Sequence, residues 1–329
     1  MLLRDLGEWE LLRRLAAYAP PGQLEDDAAI LQPSSAPLVV NTDVLVEGVH
    51  FSDATMGPAD AGWRAAAANL SDLAAMGCVS VVGLTVGLVA PSYTPWAWVE
   101  GVYDGLSEAL RQHGGQLLGG DCSGGNQRLL AITALGHLGE GGIRRDAGQA
   151  GDWLLSTGPH GLSRLGLALL LQELPAPQAS GLSKDLQERA ITAHRRPRPR
   201  LDAVSALAAC RPGGSPWRVG GTDSSDGLAT AVAQLARGAG CAAELNRGAL
   251  PIDPALAELP QGEAWCLAGG EDFELVLALT PAWGEALIAA LPGTQRIGQL
   301  ITASAAAPAG SLWWQGSDQP LEARGYSHF

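Results

Sequence analysis

Aspartates recur along this chain beside glycines, hydroxyl residues and small apolar residues, with no lysine or arginine as an immediate neighbour. They are Asp26 and Asp27 in EDDAAIL, Asp43 in VVNTDVLVEGVHF, Asp72 in NLSDLAAMG, Asp121 in LLGGDCSGG, and Asp223 and Asp226 in VGGTDSSDGLA. A fold that gathers such carboxylates must offset their repulsion, because an unpaired buried charge is strongly unfavourable. A divalent cation does this, and an all-oxygen ligand set points to Mg2+ or Mn2+ rather than zinc. Carboxylates holding several such ions commonly serve a polyphosphate, so the pattern implies a nucleotide-using enzyme.

The 329 residues suffice for two domains of ordinary size. With 47% hydrophobic and 17% charged residues the composition is that of a well-packed enzyme. The net charge of -13 argues against a nucleic-acid binder, which needs a basic face. It leaves room for an anionic nucleotide if the acidic residues carry metal ions. Cys78, Cys122, Cys210, Cys241 and Cys266 form no CxxC pair, which suggests free thiols in a reducing compartment. The first twenty residues read as a charged amphipathic helix rather than a signal peptide. No apolar run approaches the roughly 20 residues of a membrane span. A cytoplasmic protein is expected.

Periodicity and punctuation predict a helix over residues 1–20, stopped by Pro20-Pro21-Gly22, and strand and turn over LVVNTDVLVEGVHF. Helices are expected from Ala59 to Met76, between Pro58 and Gly77, and from Pro95 to Gln112. VSVVGLTVGLVA and LLAITALGHLG read as strands, and QLLGGDCSGG as a short strand entering a glycine-rich turn. Further on, GDWLLSTG, WRVGGTDSSDGL and GGEDFELVLAL read as strand and turn. Helices are expected over 162–174, 182–194, from residue 228 to about Gly240, and near 283–291. Strands and helices mix without strict alternation, which predicts an α+β layered fold of two domains, 1–145 and 146–329. The basic stretch from Arg195 to Arg200 reads as a solvated loop.

The individual motifs carry chemistry of differing sharpness. Thr42-Asp43 offers two hard oxygens at one spot of a strand. Asp72 interrupts an alanine-rich helix, where aspartate is a poor residue unless solvated or used. Gly119-Gly120-Asp121 lets backbone approach a phosphate while the carboxylate reaches a metal, although no GxxxxGK[ST] loop is present. Asp226-Gly227 leads into a helix whose N-terminal amides can hold a phosphate, with N-capping by Ser225 or Asp226 as the plainer explanation. Gly269-Gly270-Glu271-Asp272 sets two more carboxylates before a strand.

In order and spacing, EDDAAIL, NTDVLVEGVHF, NLSDLAAMG, GGDCSGG, RRDAGQAGD, HRRPRPRL, DSSDGLA, GGEDFEL and the terminal GYSHF resemble the thiamine-monophosphate kinase family, relatives of aminoimidazole ribonucleotide synthetase. The matching segments run from residue 25 to 329. The resemblance implies an aminoimidazole ribonucleotide synthetase-like α+β fold whose N-terminal sheets pair across a homodimer. It implies an N-terminal domain for ATP, Mg2+ and dimerisation, and a C-terminal domain that completes the nucleotide and substrate site. The implied activity is Mg2+-dependent transfer of phosphate from ATP to thiamine monophosphate by direct in-line attack, with several Mg2+ ions and no catalytic acid or base. Metal roles fall on Asp26, Asn41, Thr42, Asp43, Asp72, Asp121, Asp223 and Asp226. ATP contacts fall on Gly120, Asp121, Arg145 and Ser225, and substrate contacts on His50, Glu271 and Tyr326. Three departures stand out: Glu25 in place of glycine, Asn41 in place of serine or threonine, and Cys122-Ser123 in place of a threonine pair. Each leaves an oxygen or spares the aspartates, so activity is expected to survive. A sister synthetase of the same fold, such as an aminoimidazole ribonucleotide or selenophosphate synthetase, and a non-catalytic nucleotide- or thiamine-phosphate-binding protein are the alternatives.

Overall fold

The computed structural model describes residues 1–24, 28–321 and 325. The chain divides into two compact units, Met1–Leu73 with Cys78–Leu138 and Ala74–Gly77 with Gly139–Phe329. Among the described residues no helix is long and apolar enough to cross a membrane.

The first unit runs α1 (Leu3–Leu6), α2 (Glu8–Leu15), β1 (Leu38–Val46), α3 (Pro58–Ala75), β2 (Cys78–Ala90), α4 (Trp96–His113), β3 (Gln116–Gly124) and β4 (Leu129–Leu138). The expected first helix is broken because Gly7 takes a φ of 74°, which L side chains disfavour. The sheet order is β1-β4-β2-β3, antiparallel except for the β2–β3 pair. One face packs on α3 and α4 through Leu84, Val86, Leu130, Ile132, Leu70 and Val102. The two helices approach closely at glycine: a Cβ on Gly105 would lie 1.9 Å from the Ala59 carbonyl oxygen, and one on Gly62 1.9 Å from that of Val102. The other face leaves Leu38, Val40 and Val44 of β1 exposed, as strand alternation requires when only one side is covered. QLLGGDCSGG is strand through to Gly124 rather than strand and turn, because β3 stays in register with β2 from Thr85–Gly119 to Ala90–Gly124.

The second unit runs β5 (Trp153–Ser156), α5 (Leu162–Leu170), α6 (Ala176–Gly181), α7 (Lys184–Arg195), α8 (Leu201–Ala209), β6 (Gly220–Asp223), α9 (Leu228–Gly238), β7 (Cys241–Leu245), α10 (Pro254–Ala257), α11 (Gly262–Ala268), β8 (Leu275–Leu279), α12 (Pro281–Ala290), β9 (Gln295–Thr302) and β10 (Leu312–Trp314). Its six strands lie in the order β10-β7-β9-β5-β8-β6. Both faces are covered, which explains the unbroken apolar run LVLAL of β8. Val276 and Ala278 enter a core with α9 and α11, while Leu275, Leu277 and Leu279 enter another with α8 and α12. The architecture is a mixed α/β fold of two sheets. All five cysteines are unpaired.

Candidate active site

In the first unit the inner face of β1 meets α3 at a polar spot. Strand alternation points Asn41 and Asp43 at the helix, and the helix answers with Asn69 and Asp72. Asn41 Nδ2 donates to Asp72 Oδ2 at 2.9 Å and to Asn69 Oδ1 at 3.2 Å, and the Asp43 amide donates to Asn69 Oδ1 at 3.1 Å. α3 is buried on nearly every side, so Asp72 sits half-buried against a strand and not on a solvated helix face. Asn41 Oδ1 is buried and has no hydrogen-bond partner. Such an acceptor is costly to leave unmade, and with the neighbouring carboxylates it forms a hard-oxygen donor set that suits Mg2+.

Thr42 and Asp121 lie elsewhere. The Thr42 hydroxyl shares a hydrogen bond of 2.8 Å with Thr133 on the outer face of the sheet. Asp121 pairs with Gly87, Gly87 with Ala131, and Ala131 with Val44, so Asp121 also belongs to the outer row. Its strand is three interstrand steps from β1, about 14 Å at roughly 4.8 Å each. The structure therefore does not gather Asp121 or the Thr42 side chain with Asn41, Asp43 and Asp72. Asp26 lies outside the described residues. Among the described residues, no three carboxylate, histidine or thiol side chains converge as a ready metal cage.

Beside Asp121 opens a cavity of about 570 Å3, lined by Gly119, Gly120, Cys122, Tyr103, Leu117 and Leu24 among others. Sequence reasoning missed Tyr103, an aromatic on the apolar face of α4 with no local signal. Gly120 is needed for packing whatever its ligand role, because a Cβ there would lie 2.1 Å from the Val86 carbonyl oxygen. Burial pushes the Cys122 thiol up to about 11, with the Asp121 charge adding to the effect.

His50 ends the turn that follows β1. The Val46 amide donates to His50 Nδ1 at 3.0 Å, which fixes the ring and, in the neutral form, places its proton on Nε2. The turn is held by Arg128, which pairs with Glu47 and, at 2.9 Å, with Asp53, and lies 4.8 Å over the Trp98 ring. The Arg128 guanidinium draws Glu47 below the usual carboxylate range.

In the second unit, the register Asp223–Leu275 between β6 and β8 brings two sequence motifs to one end of the sheet. Asp223 is buried, and Ser225 Oγ donates to its Oδ1 at 3.3 Å. Arg145 Nε donates to the neighbouring Thr222 Oγ1 at 3.1 Å. Ser224 Oγ is buried with no partner. α9 starts from Gly227, at a φ of 105°, with no side-chain cap, so neither Ser225 nor Asp226 caps it. Gly325, next to Tyr326, sits against the Asp226 main chain, where a Cβ would lie 2.0 Å from the carbonyl oxygen. Tyr326 itself lies outside the described residues.

The loop 269–274 packs on this turn. The Glu271 amide donates to the Ser225 carbonyl at 2.7 Å, and the Ser224 amide to that of Glu274 at 3.0 Å. Glu271 and Phe273 hold φ of 58° and 52°, left-handed values that cost non-glycine residues on the order of 1–3 kcal/mol each. Between them, Asp272 accepts from the Gly161 and Ser163 amides at 2.7 and 3.0 Å, at the start of α5. Burial pushes Asp272 up to about 7, partly offset by these two N–H groups. Glu274 is bound by Thr157 Oγ1 at 2.5 Å and by Arg200. Arg200 is only 5% exposed, so the basic stretch from Arg195 ends in a buried ion pair rather than as a solvated loop throughout. Proline punctuation and charge gave no hint of that burial.

Residues 25–138 match the family model described as AIR synthase related protein, N-terminal domain. The chain is similar to a thiamine-monophosphate kinase of Prochlorococcus marinus, 47% identical over 96% of this chain and 93% of that one. One of Synechococcus elongatus is 49% identical over 91% and 90%. Among solved structures, AaThiL complexed with AMPPCP and TMP covers 100% of this chain and 99% of its own, with a TM-score of 0.75 and 26% identity. The thiamine-monophosphate kinase of Stenotrophomonas maltophilia covers 94% of this chain and 95% of its own, with a TM-score of 0.76 and 31% identity. The hydrogenase maturation protein HypE, at 19% identity and a TM-score of 0.74, shares the fold.

Proposed function

Because the chain belongs to the thiamine-monophosphate kinase family, we infer that it transfers the γ-phosphoryl group of ATP to thiamine monophosphate, giving thiamine diphosphate and ADP. The observation that carries this reading is the identity of nearly half the residues over nearly the whole chain to kinases of that name.

The reaction joins an acceptor phosphate oxygen to the γ-phosphorus in line as the bond to the ADP oxygen breaks. The acceptor is an anion at neutral pH, so no general base is assigned. The difficulty is charge: two unit charges at 4 Å repel by about 1 kcal/mol in water and several times that in a drier site. Mg2+ ions held by the site carboxylates would supply the neutralisation. In the first unit, Asn41, Asp43 and Asp72 are the ligands that the donor chemistry supports best, with its orphaned amide oxygen. Asp223 and Asp226, and Asp26, complete the assignment, whereas Thr42 and Asp121 serve from the outer face. Gly120, Asp121, Arg145 and Ser225 are assigned to ATP, with the cavity beside Tyr103 suited to a flat base. His50, Glu271 and Tyr326 are assigned to thiamine monophosphate.

The exposed apolar row Leu38, Val40 and Val44 supports a homodimer paired through these sheets, since a bare apolar sheet face favours association. Light scattering should give twice the chain mass, falling to the monomer in Val40→Asp. The activity is tested with ATP, Mg2+ and thiamine monophosphate, separating products by chromatography. Equal thiamine diphosphate and ADP, abolished by EDTA, is the expected result. ADP without thiamine diphosphate would overturn the acceptor, and no turnover with ATP bound would overturn the enzyme.

A further inference from the structure

The loop 269–274 carries the assigned substrate residue Glu271 in a left-handed backbone conformation, and something outside the loop must keep it there. Local hydrogen bonding accounts for its front: the Glu271 amide on Ser225, and Asp272 on the start of α5. Its back is held through Glu274. That side chain is 13% exposed and is gripped by Thr157 and Arg200. Thr157 Oγ1 in turn accepts from the Leu275 amide at 2.8 Å. Arg200 Nη1 also donates to the Thr157 carbonyl at 2.7 Å, and its Nε reaches Asp202 Oδ1 at 3.0 Å. One guanidinium thus ties together the end of β5, the start of α8 and the entry to β8. Lysine cannot reproduce it, because a point charge lacks the planar fork.

The geometry points to Arg200 as a positioning residue for the acceptor substrate: by clamping Glu274 it fixes the strained loop that presents Glu271. This rests on the assignment of Glu271 to thiamine monophosphate. Arg200 reaches the substrate only through that loop, and its loss should appear in acceptor binding more than in ATP binding.

The test is a double-mutant cycle on the full chain. Arg200→Lys should raise the KM for thiamine monophosphate tenfold or more, with the ATP KM moving less than twofold and circular dichroism unchanged. Glu274→Gln, which keeps the volume and the Thr157 contact, should move the same parameter in the same direction. In a Glu271→Ala background, Arg200→Lys should change the acceptor KM less than twofold. The same fold-change in both backgrounds would overturn the coupling and reduce Arg200 to a stability residue. A Glu271→Ala variant with an unaltered acceptor KM would instead overturn the assignment of Glu271, and the coupling with it.

Discussion

His160 makes a quantitative pH prediction. Its side chain is 0% exposed in the second unit. Ser156 Oγ spends its proton on the Gly158 carbonyl at 2.8 Å, so it can only accept from His160 Nδ1, 3.4 Å away. The neutral ring then carries its proton on Nδ1, and Nε2, which has no partner, faces its surroundings bare. Protonation would place a new N–H there with nothing to receive it. Burial accordingly lowers the ring from 6.5 to about 4, with a main-chain hydrogen bond at Gly158 opposing. Above 6.5 both folded and unfolded chains are neutral at this site and its contribution is complete. Between 6.5 and about 4 only the unfolded chain takes the proton, so stability falls as pH falls. A depression of roughly 2.5 at about 1.4 kcal/mol per pH unit is on the order of 3 kcal/mol. Urea unfolding of wild type and His160→Asn, followed by far-UV circular dichroism from pH 7.5 to 4, measures it. Carboxylates titrate alike in both, so the wild type should lose about 3 kcal/mol more than the variant. Parallel profiles would refute the account of a neutral buried ring.

Asp72→Asn and Asp43→Asn should each lower turnover at least 100-fold, on the scale of removing a charge-stabilising group, while circular dichroism stays native; wild-type turnover would remove them from the ion site. Gly105→Ala should destabilise the first unit by about 1–3 kcal/mol, read by thermal melting, because the new Cβ would strike the Ala59 carbonyl 1.9 Å away. Arg128→Met should raise the thiamine monophosphate KM several-fold at little change in the ATP KM, because the turn bearing His50 loses its tie through Glu47; equal effects on both substrates would argue for general loosening.

The sequence disclosed elements wherever periodicity and punctuation agreed. α3 was legible between Pro58 and Gly77, as were β1 and β2 in their valine-rich alternation. β7, CAAEL, was missed because it holds no β-branched residue, and β9, QRIGQLIT, because its polar residues hid a strand in the middle of a sheet. α8 and α11 lacked a separating cap. The glycines of QLLGGDCSGG suggested a turn because glycine usually marks one, yet Gly120 is glycine because β2 leaves no room for a side chain. The aspartate motifs were legible as a set, but not their grouping. Asn41 meets Asp72 and Asp43 meets Asn69 through strand alternation, and the same alternation sends Thr42 to the opposite face. Only the sheet order reveals how far Asp121 lies from β1. Arg200 and Glu274 are 74 residues apart, and no local pattern pairs them.

The partners of the carboxylates explain how an acidic chain can host two polyanions. Glu47, Asp146, Asp152 and Glu274 are matched by Arg128, Arg144, Arg218 and Arg200. An arginine neutralises a carboxylate permanently, which suits a side chain whose task is to hold a turn or a loop. At Asp72 and Asp223 the structure sets the Asn41 amide and the Ser225 hydroxyl. These neutral donors orient a carboxylate oxygen for a cation to use. Arg145 follows the complementary rule: its Nε rests on the Thr222 hydroxyl, so its positive charge is oriented by a neutral acceptor. Substituting Thr222 by Asp would convert that contact into an ion pair. The expected result is a higher KM for ATP with an unchanged melting temperature or a raised one. A lower ATP KM would show that the charge of Arg145 is not what the nucleotide meets.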